Sequence, residues 1–166
     1  YGTLCTEPCD YFFPSVIFGN ISPEWKQLDC DGDGVKNGVE LDDNTDPRNA
    51  CSYKQESITE SITVIGRDCD GDGVLDSVEI TADNTDPSNS CSFNADSITL
   101  KVTSKEDCDG DGVINTKEDL DETNSLDGCS FLFSSVSTET SDAWKAYDCD
   151  GDGVLNGNEI KDGTDV

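Results

Sequence analysis

The sequence contains no histidine and no methionine, and only 10 of its 166 residues are lysine or arginine. Histidine is the side chain most often used for general acid–base catalysis, and calcium sensors expose a Met-rich groove between long helices. The 37 acidic residues give a formal net charge of −27, which disfavours contact with nucleic-acid phosphates. We therefore expect no enzyme, no calcium sensor and no nucleic-acid-binding protein.

Apolar residues are also scarce, at 33% of the chain, with aromatic residues at 7%. A core this small does not offset the conformational entropy of folding, so other links must hold the fold together. The longest apolar stretch near the start, Val16-Ile17-Phe18, is far too short to cross a bilayer. We expect no direct membrane insertion.

Acidic loops are what the sequence does contain. Four segments fit the pattern D-x-[DN]-x-[DN]-G-x5-E, which is typical of loops that wrap a calcium ion. Side chains at positions 1, 3, 5 and 9, the carbonyl of position 7 and a bidentate Glu at position 12 are the expected ligands. The predicted metal ligands are Asp29, Asp31, Asp33, Val35, Asn37 and Glu40; Asp68, Asp70, Asp72, Val74, Asp76 and Glu79; Asp107, Asp109, Asp111, Val113, Asn115 and Glu118; and Asp148, Asp150, Asp152, Val154, Asn156 and Glu159.

Four complete matches on one period favour calcium sites over solvated acidic turns, and six protein groups suit Ca²⁺ better than the smaller Mg²⁺. We predict about one Ca²⁺ per repeat and four in total, whose eight positive charges would change the net charge from −27 to −19. Asp46, Asp86 and Asp165, in the tails after the loops, could bind further ions or cap the turn. We favour capping, with Asn124 in that role in the third repeat.

The first Asp residues of the loops lie 39, 39 and 41 residues apart, a spacing typical of tandem repeats. We divide the chain into the tail of a preceding repeat (1–8) and repeats at 9–50, 51–90, 91–128 and 129–166, the last truncated. Because Tyr1-Gly2-Thr3 aligns with Gly163-Thr164, we expect a segment that begins inside one repeat and stops inside another. The predicted fold is mainly irregular with short β-strands and single-turn helices, in an elongated array of about four calcium-stapled, disulfide-linked repeats.

Each repeat joins a Ser/Thr/Ile-rich first half to an acidic second half. Alternating apolar residues predict short strands in the first halves, at Ile58, Ile62 and Val64 and at Ile98, Leu100 and Val102. One helical turn is expected after each of the N-cap residues Ser22 and Ser141, and one after each loop Glu, ended by Asn or Gly. Trp25 and Trp144 either pack the loop against the first half, which we favour, or contact carbohydrate.

Nine cysteines without histidine indicate disulfides formed in an oxidising, extracytoplasmic compartment, since a zinc site would need CxxC pairs or His ligands. Position 2 of every loop is Cys and faces away from the ion. One pairing scheme closes the first halves through Cys9–Cys30, Cys51–Cys69, Cys91–Cys108 and Cys129–Cys149, leaving Cys5. The other joins Cys5–Cys9, Cys30–Cys51, Cys69–Cys91 and Cys108–Cys129, leaving Cys149. We favour the first, although sequence alone does not settle connectivity.

The run Asp-Cys-Asp-Gly-Asp-Gly-Val-x-Asn-Gly-x-Glu with a Gly-Thr-Asp tail, from Asp148 to Asp165, resembles bacterial thrombospondin type 3-like calcium repeats. The Cys-Ser-Phe openers and the period of about forty residues further resemble the repeats of very large gliding-motility adhesins on flavobacterial cell surfaces. The resemblance implies a rigid, calcium-stabilised extracellular rod at the cell surface. Its expected partners are a surface or polysaccharide, or neighbouring repeats of the same monomeric chain. A dockerin-like, calcium-dependent recruitment module is the alternative.

Overall fold

The computed structural model describes Cys9 and residues 21–166. The chain divides into two compact units, Tyr1–Arg67 and Asp68–Val166. The described part of the first unit contains the first loop, and the second unit contains the other three. The repeat boundaries stay a prediction, and Cys5 lies outside the described residues.

Short helices are the regular elements of both units. In the first unit, a 3-10 turn at Trp25–Gln27 precedes helix α1 at Asn37–Asp43, and a second 3-10 turn covers Gln55–Ser57. In the second unit, helix α2 at Asp76–Val78 continues as a π-helix at Glu79–Asp83. Helices α3 and α4 cover Asn115–Asp121 and Asn156–Asp162, with 3-10 turns at Ala95–Ser97, Phe133–Ser135 and Trp144–Ala146.

The β-strands predicted at Ile58, Ile62 and Val64 and at Ile98, Leu100 and Val102 are wrong, because no described residue is in a strand. The N–H groups of Thr59 and Glu60 both donate to the Gly34 carbonyl, at 3.0 and 3.1 Å. Those of Thr63 and Val64 both donate to Gly32. Since two successive N–H groups converge on one carbonyl, the first half binds the preceding loop and forms no strand ladder.

The helix after each loop is longer than the single turn predicted. Helices α1, α3 and α4 have seven residues each, about two turns. They begin at loop position 9, three residues before the Glu. A left-handed Asn or Gly at the helix end, as predicted, is confirmed in three repeats, at Asn44, Asn84 and Gly163. In the third repeat, helix α3 ends instead on Glu122, with φ +58°.

The helical turns predicted before the loops are confirmed as 3-10 turns, since Ser22 Oγ accepts from Trp25 N at 3.1 Å and Ser141 Oγ from Trp144 N at 3.0 Å. The packing role of Trp144 is also confirmed. Its side chain is 1% exposed, its indole N–H donates to the Gly128 carbonyl, and its ring lies edge-on to Phe131. Trp25 is half-buried.

Three disulfides of the favoured scheme are present: Cys9–Cys30, Cys91–Cys108 and Cys129–Cys149. Cys51 and Cys69 are also disulfide-bonded. Each of the three bonds encloses a first half and ends on position 2 of its loop. In the entropic model, loops of this size contribute about 3 kcal/mol each by restricting the unfolded chain.

The described residues contain a very small apolar core. Six hydrophobic side chains are buried, namely Val35, Val74, Phe93, Val102, Val113 and Trp144, against thirteen buried polar or charged ones. A fold that buries more carboxylates than aliphatic groups loses free energy unless those carboxylates are paired. Most of them lie in the acidic loops.

Candidate calcium sites

The Asp at position 1 organises the backbone of each loop. In the first loop, Asp29 Oδ1 accepts from Gly32 N at 2.7 Å and Oδ2 accepts from Gly34 N at 3.0 Å. Both glycines have positive φ, which turns successive N–H groups toward this carboxylate. The same two bonds recur at Asp68, Asp107 and Asp148.

The carboxylates at positions 3 and 5 divide their two oxygens between the loop and its centre. Asp33 Oδ1 accepts from Val35 N at 2.8 Å, and Asp31 Oδ1 accepts from Asp33 N at 3.4 Å. Their Oδ2 atoms are buried and have no hydrogen-bond partner, as are those of Asp70, Asp72, Asp109 and Asp111. One oxygen of each Asp therefore holds the turn while the other is available to a ligand.

The Glu at position 12 supplies the remaining buried oxygens. Glu40, Glu79 and Glu118 are 0% exposed. Both carboxylate oxygens of Glu40 and Glu118 lack a partner, whereas Glu79 Oε1 accepts from Thr85 Oγ1 and only Oε2 remains. The helix end fixes this residue, since the Glu40 carbonyl accepts from Thr45 N at 2.9 Å around left-handed Asn44.

The pKa values show what this concentration of carboxylates costs without a cation. Burial, together with the charges of Asp31, Asp33 and Asp29, raises the pKa of Glu40 to about 9. Burial is also the main cause that raises the pKa of Glu79 and Glu118 to about 8 and that of Asp33 and Asp70 to about 7. A bound divalent cation would reverse this effect by favouring the ionised form.

The oxygens of positions 1, 3 and 5 converge in all four loops. One oxygen from each of Asp29, Asp31 and Asp33 lies within 4.8 Å of the others, and the same holds for the other three Asp triplets. Unpartnered carboxylate oxygens without nitrogen or sulfur donors are the ligand set that hard cations such as Ca²⁺ prefer. The residues present therefore fit calcium.

The side chain at position 7 is apolar in every loop, because only the backbone carbonyl of this residue is a predicted ligand. Val35, Val74 and Val113 are 0% exposed, and their N–H groups donate to position 5. The ligand role assigned to their carbonyls stays a prediction.

The side chain at position 9 makes contacts that sequence reasoning missed. Asn37 Oδ1 accepts from Cys30 N at 3.1 Å, while its amide nitrogen donates to the Trp25 carbonyl at 3.0 Å and to Cys30 Sγ at 3.1 Å. Asn156 makes the same set of bonds, to Cys149 and the Trp144 carbonyl. Asn115 bonds Cys108 in the same way but donates to the Ser90 carbonyl, and Asp76 Oδ1 accepts from Cys69 N. The pairing of Cys at position 2 with a carboxamide seven residues later was the available signal. A ligand role for position 9 stays a prediction.

The capping role of the tails is confirmed in three repeats. Asp46 Oδ1 accepts from Arg48 N, Asp86 Oδ1 from Ser88 N and Asn124 Oδ1 from Leu126 N, each at 3.1 Å. The capping role of Asp165 stays a prediction. Burial and the loop carboxylates are the larger causes that raise the pKa of Glu159, and the charge of Asp165 adds to them, as that of Asp46 does for Glu40, so these tails lie within electrostatic reach of the loops.

The fourth loop differs from the others in exposure. Asp150 and Asp152 are exposed, and Val154 is 39% exposed where its three counterparts are 0%. Glu159 and Asn156 remain buried, and the backbone bonds of the loop are intact. The site is therefore complete but more open to water.

Together these features define a tandem set of disulfide-linked acidic loops built to hold hard cations. Residues 29–50, 68–90 and 148–165 match the family of the bacterial TSP3 repeat. Repeats of that family are structural and typically bind calcium. The third loop, outside the matched residues, repeats their geometry. No curated protein and no solved structure gives a significant match.

The disulfides and the TSP3 matches indicate an extracellular protein. Among the described residues, none of the helices has the length and apolar character needed to cross a bilayer.

Proposed function

We propose that this chain is a calcium-dependent structural segment of an extracellular bacterial adhesin, with one Ca²⁺ in each of its four loops. The observation that carries the proposal is the set of buried carboxylate oxygens without a partner at positions 3, 5 and 12 of the first three loops and at Glu159 of the fourth. Leaving such groups buried and ionised costs several kcal/mol each, at least about 1–3 kcal/mol even when neutral. A cation is the simplest compensation.

Calcium is then part of the folded structure. When bound, the ion supplies the positive charge that the loops lack. Positions 1, 3, 5 and 12 would hold it, and position 1 would also keep the loop backbone in shape. Because the unfolded chain has no such site, the binding free energy contributes directly to folding. Further ions through Asp46, Asp86 or Asp165 remain a prediction.

The adhesin role is supported by the sequence features that accompany the loops. The Cys-Ser-Phe openers and the period of 39 to 41 residues resemble the repeats of SprB, the large flavobacterial gliding adhesin. A series of calcium-stiffened, disulfide-linked repeats forms a rigid rod that carries an attachment site away from the cell. Its partners in this role are a polysaccharide or other extracellular surface at one end and neighbouring repeats of the same chain.

The calcium part of the proposal is tested by native mass spectrometry and calorimetry on the full, oxidised chain. We expect four Ca²⁺ per chain and a melting temperature that falls when the ions are removed, with Mg²⁺ a weak substitute. An identical melting curve and identical small-angle scattering with and without calcium would overturn it.

The adhesin part needs a separate measurement. Beads coated with the chain, and bacteria whose parent protein carries Gln at the four loop Glu positions, are compared for attachment to glass and polysaccharide. We expect cells with the substituted loops to attach and glide poorly. Normal attachment and gliding of these cells would contradict the adhesin role but not the proposal that the loops bind calcium. If the coated beads do not attach, the segment is a spacer that does not itself bind the surface.

A further inference from the structure

Position 9 of the second loop differs from position 9 of the other three. It is Asp76, whereas the other loops have Asn37, Asn115 and Asn156. All four side chains are buried, with Asp76 1% exposed, and all four accept a hydrogen bond from the N–H of the Cys at position 2 of their own loop. That cysteine is disulfide-bonded in every loop. The chain therefore has three loop disulfides beside a carboxamide and one beside a carboxylate.

The three Asn side chains contact their disulfides through the amide nitrogen. This nitrogen donates to Cys30 Sγ at 3.1 Å, to Cys108 Sγ at 3.0 Å and to Cys149 Sγ at 3.2 Å. Sulfur accepts such a bond weakly, and it does so both in a disulfide and in a thiol. The contact with Asn therefore stabilises the oxidised and the reduced cysteine to a similar extent.

Asp76 has no amide proton to donate to its cysteine. Its Oδ1 accepts from the Cys69 N–H at 2.9 Å, which fixes the carboxylate, and its Oδ2 lies 2.9 Å from Cys69 Sγ. A disulfide sulfur carries no proton, so two atoms with lone pairs face each other at hydrogen-bond distance. A thiol at Cys69 would instead donate its proton to the carboxylate, and a hydrogen bond to a charged acceptor is stronger than one between neutral groups.

We propose that the Cys69 disulfide is a redox-sensitive bond, which Asp76 makes easier to reduce than the disulfides of the other three loops. The reductant is a dithiol: one of its sulfurs attacks the disulfide, and its second sulfur resolves the mixed disulfide. The reagent ends as a cyclic disulfide. Its two protons and two electrons pass to the cysteine pair, and Cys69 becomes a thiol that donates to Asp76.

Reduction of this bond would loosen the segment that covers the first loop. In the predicted pairing with Cys51, the bond encloses residues 52–68, and within them Thr59 and Glu60 donate to the Gly34 carbonyl. Without the bond, the segment is held over the first loop by its hydrogen bonds and packing alone. One repeat thus responds to a reducing environment while the others stay closed. The inference does not depend on the proposed function, because it concerns the disulfides alone.

The test uses the full oxidised chain in calcium buffer, equilibrated with mixtures of reduced and oxidised dithiothreitol. Free thiols are alkylated after an acid quench, and peptide mass spectrometry gives the ratio of reduced to oxidised reagent at which each cysteine is half-reduced. The equilibrium is the relevant quantity, because a carboxylate also slows reduction by repelling the attacking thiolate. We expect half-reduction of Cys69 at a ratio about tenfold lower than for Cys30, Cys108 or Cys149, equivalent to about 30 mV for this two-electron couple.

Two reciprocal substitutions isolate the group that faces the sulfur. Asp76→Asn should raise the half-reduction ratio of Cys69 by about tenfold, and Asn115→Asp should lower that of Cys108 by a similar factor. The matched control is Asp96→Asn, which removes the same charge at an exposed position and should leave the Cys69 ratio unchanged.

An unchanged or lower Cys69 ratio in the Asp76→Asn chain would overturn the proposal. So would half-reduction of Cys69 at the same ratio as the other loop cysteines, or at a higher one. An equal rise in the Asp96→Asn chain would also overturn it, because the effect would then come from net charge and not from the contact with sulfur. If Asn115→Asp does not fold, Asp76→Asn still decides, since it restores the residue found in the other three loops.

Discussion

The Cys149 N–H donates to Asn156 Oδ1 at 3.0 Å, and the Asn156 amide donates back to Cys149 Sγ at 3.2 Å. The same amide nitrogen also reaches the Trp144 carbonyl at 3.2 Å. Asn156 is 0% exposed. As the first residue of α4, Asn156 thereby connects this helix to the disulfide and to the 3-10 turn before the loop. These three hydrogen bonds close the loop without involving the ion.

Replacement of this residue, Asn156→Ala, should lower the free energy of unfolding by about 1–3 kcal/mol, because the Cys149 N–H and the Trp144 carbonyl lose their partner. The matched control is Asn158→Ala, two residues on in the same helix, where the side chain is exposed. Thermal unfolding in calcium measures the difference. Native mass spectrometry should still find four Ca²⁺ in the Asn156→Ala chain. Loss of one ion would instead show that position 9 is a ligand.

The effect on stability of substituting a buried loop carboxylate should change sign between calcium-bound and metal-free protein. In saturating calcium, Glu118→Gln should remove one ion and destabilise the chain by about 3 kcal/mol, the contribution of an ion present at about 100 times its dissociation constant. In metal-free protein above the raised pKa of Glu118, about 8, the same change removes a buried charge and should be neutral or stabilising. Glu122→Gln, at an exposed position, is the control. Equal destabilisation in both conditions would show that Glu118 has a purely structural role.

The metal-free protein should gain stability on acidification. Its buried carboxyls have folded-state pKa values raised from the ordinary 3.8 or 4.5 to between about 6 and about 9, as for Asp31 and Glu40. The folded state therefore binds more protons than the unfolded state, so stability is fully present below about pH 4 and declines as pH rises through 6 to 9. Melting temperatures at pH 5 and pH 9 measure this. With calcium the order should reverse, because protons compete with the ion. A metal-free chain that is more stable at pH 9 would contradict the carboxylate assignment.

The fourth loop should lose its ion first. Asp150 and Asp152 are exposed, so water and buffer ions screen the attraction that holds Ca²⁺ there. We expect Glu159→Gln to lower the melting temperature in calcium by less than Glu118→Gln does. Stepwise addition of chelator, followed by NMR, should release loop 4 before loops 2 and 3. Simultaneous release from all loops would show that exposure does not set affinity.

The sequence predicted the acidic loops and the disulfide scheme because both depend on short spacings. Alternation of ligands at positions 1, 3 and 5 turns position 2 outward, which leaves Cys30 or Cys108 free to bond a cysteine of its own first half. The tail caps at Asp46 and Asp86 could be predicted for the same reason, since the carboxylate and the N–H it accepts are two residues apart.

The first halves could not be predicted in this way. Alternating Ile98, Leu100 and Val102 is typical of a strand, but here Ile98 and Val102 pack over Gly73, which lies about 25 residues earlier in the chain. Nothing local distinguishes the two cases. Likewise, Asn at position 9 fits both a calcium ligand and a partner for Cys, and only the three-dimensional position of Trp25 and Cys30 reveals the second.

The disulfides also determine where the chain yields under mechanical tension. A pull along the backbone passes through the Cys91–Cys108 and Cys129–Cys149 bonds, so the first halves they enclose cannot be drawn out. The stretch that can lengthen between them runs from Cys108 to Cys129, through the third loop and α3. Force on the chain therefore falls on the acidic half of the repeat, and occupancy of that loop by an ion sets the load at which the repeat begins to extend.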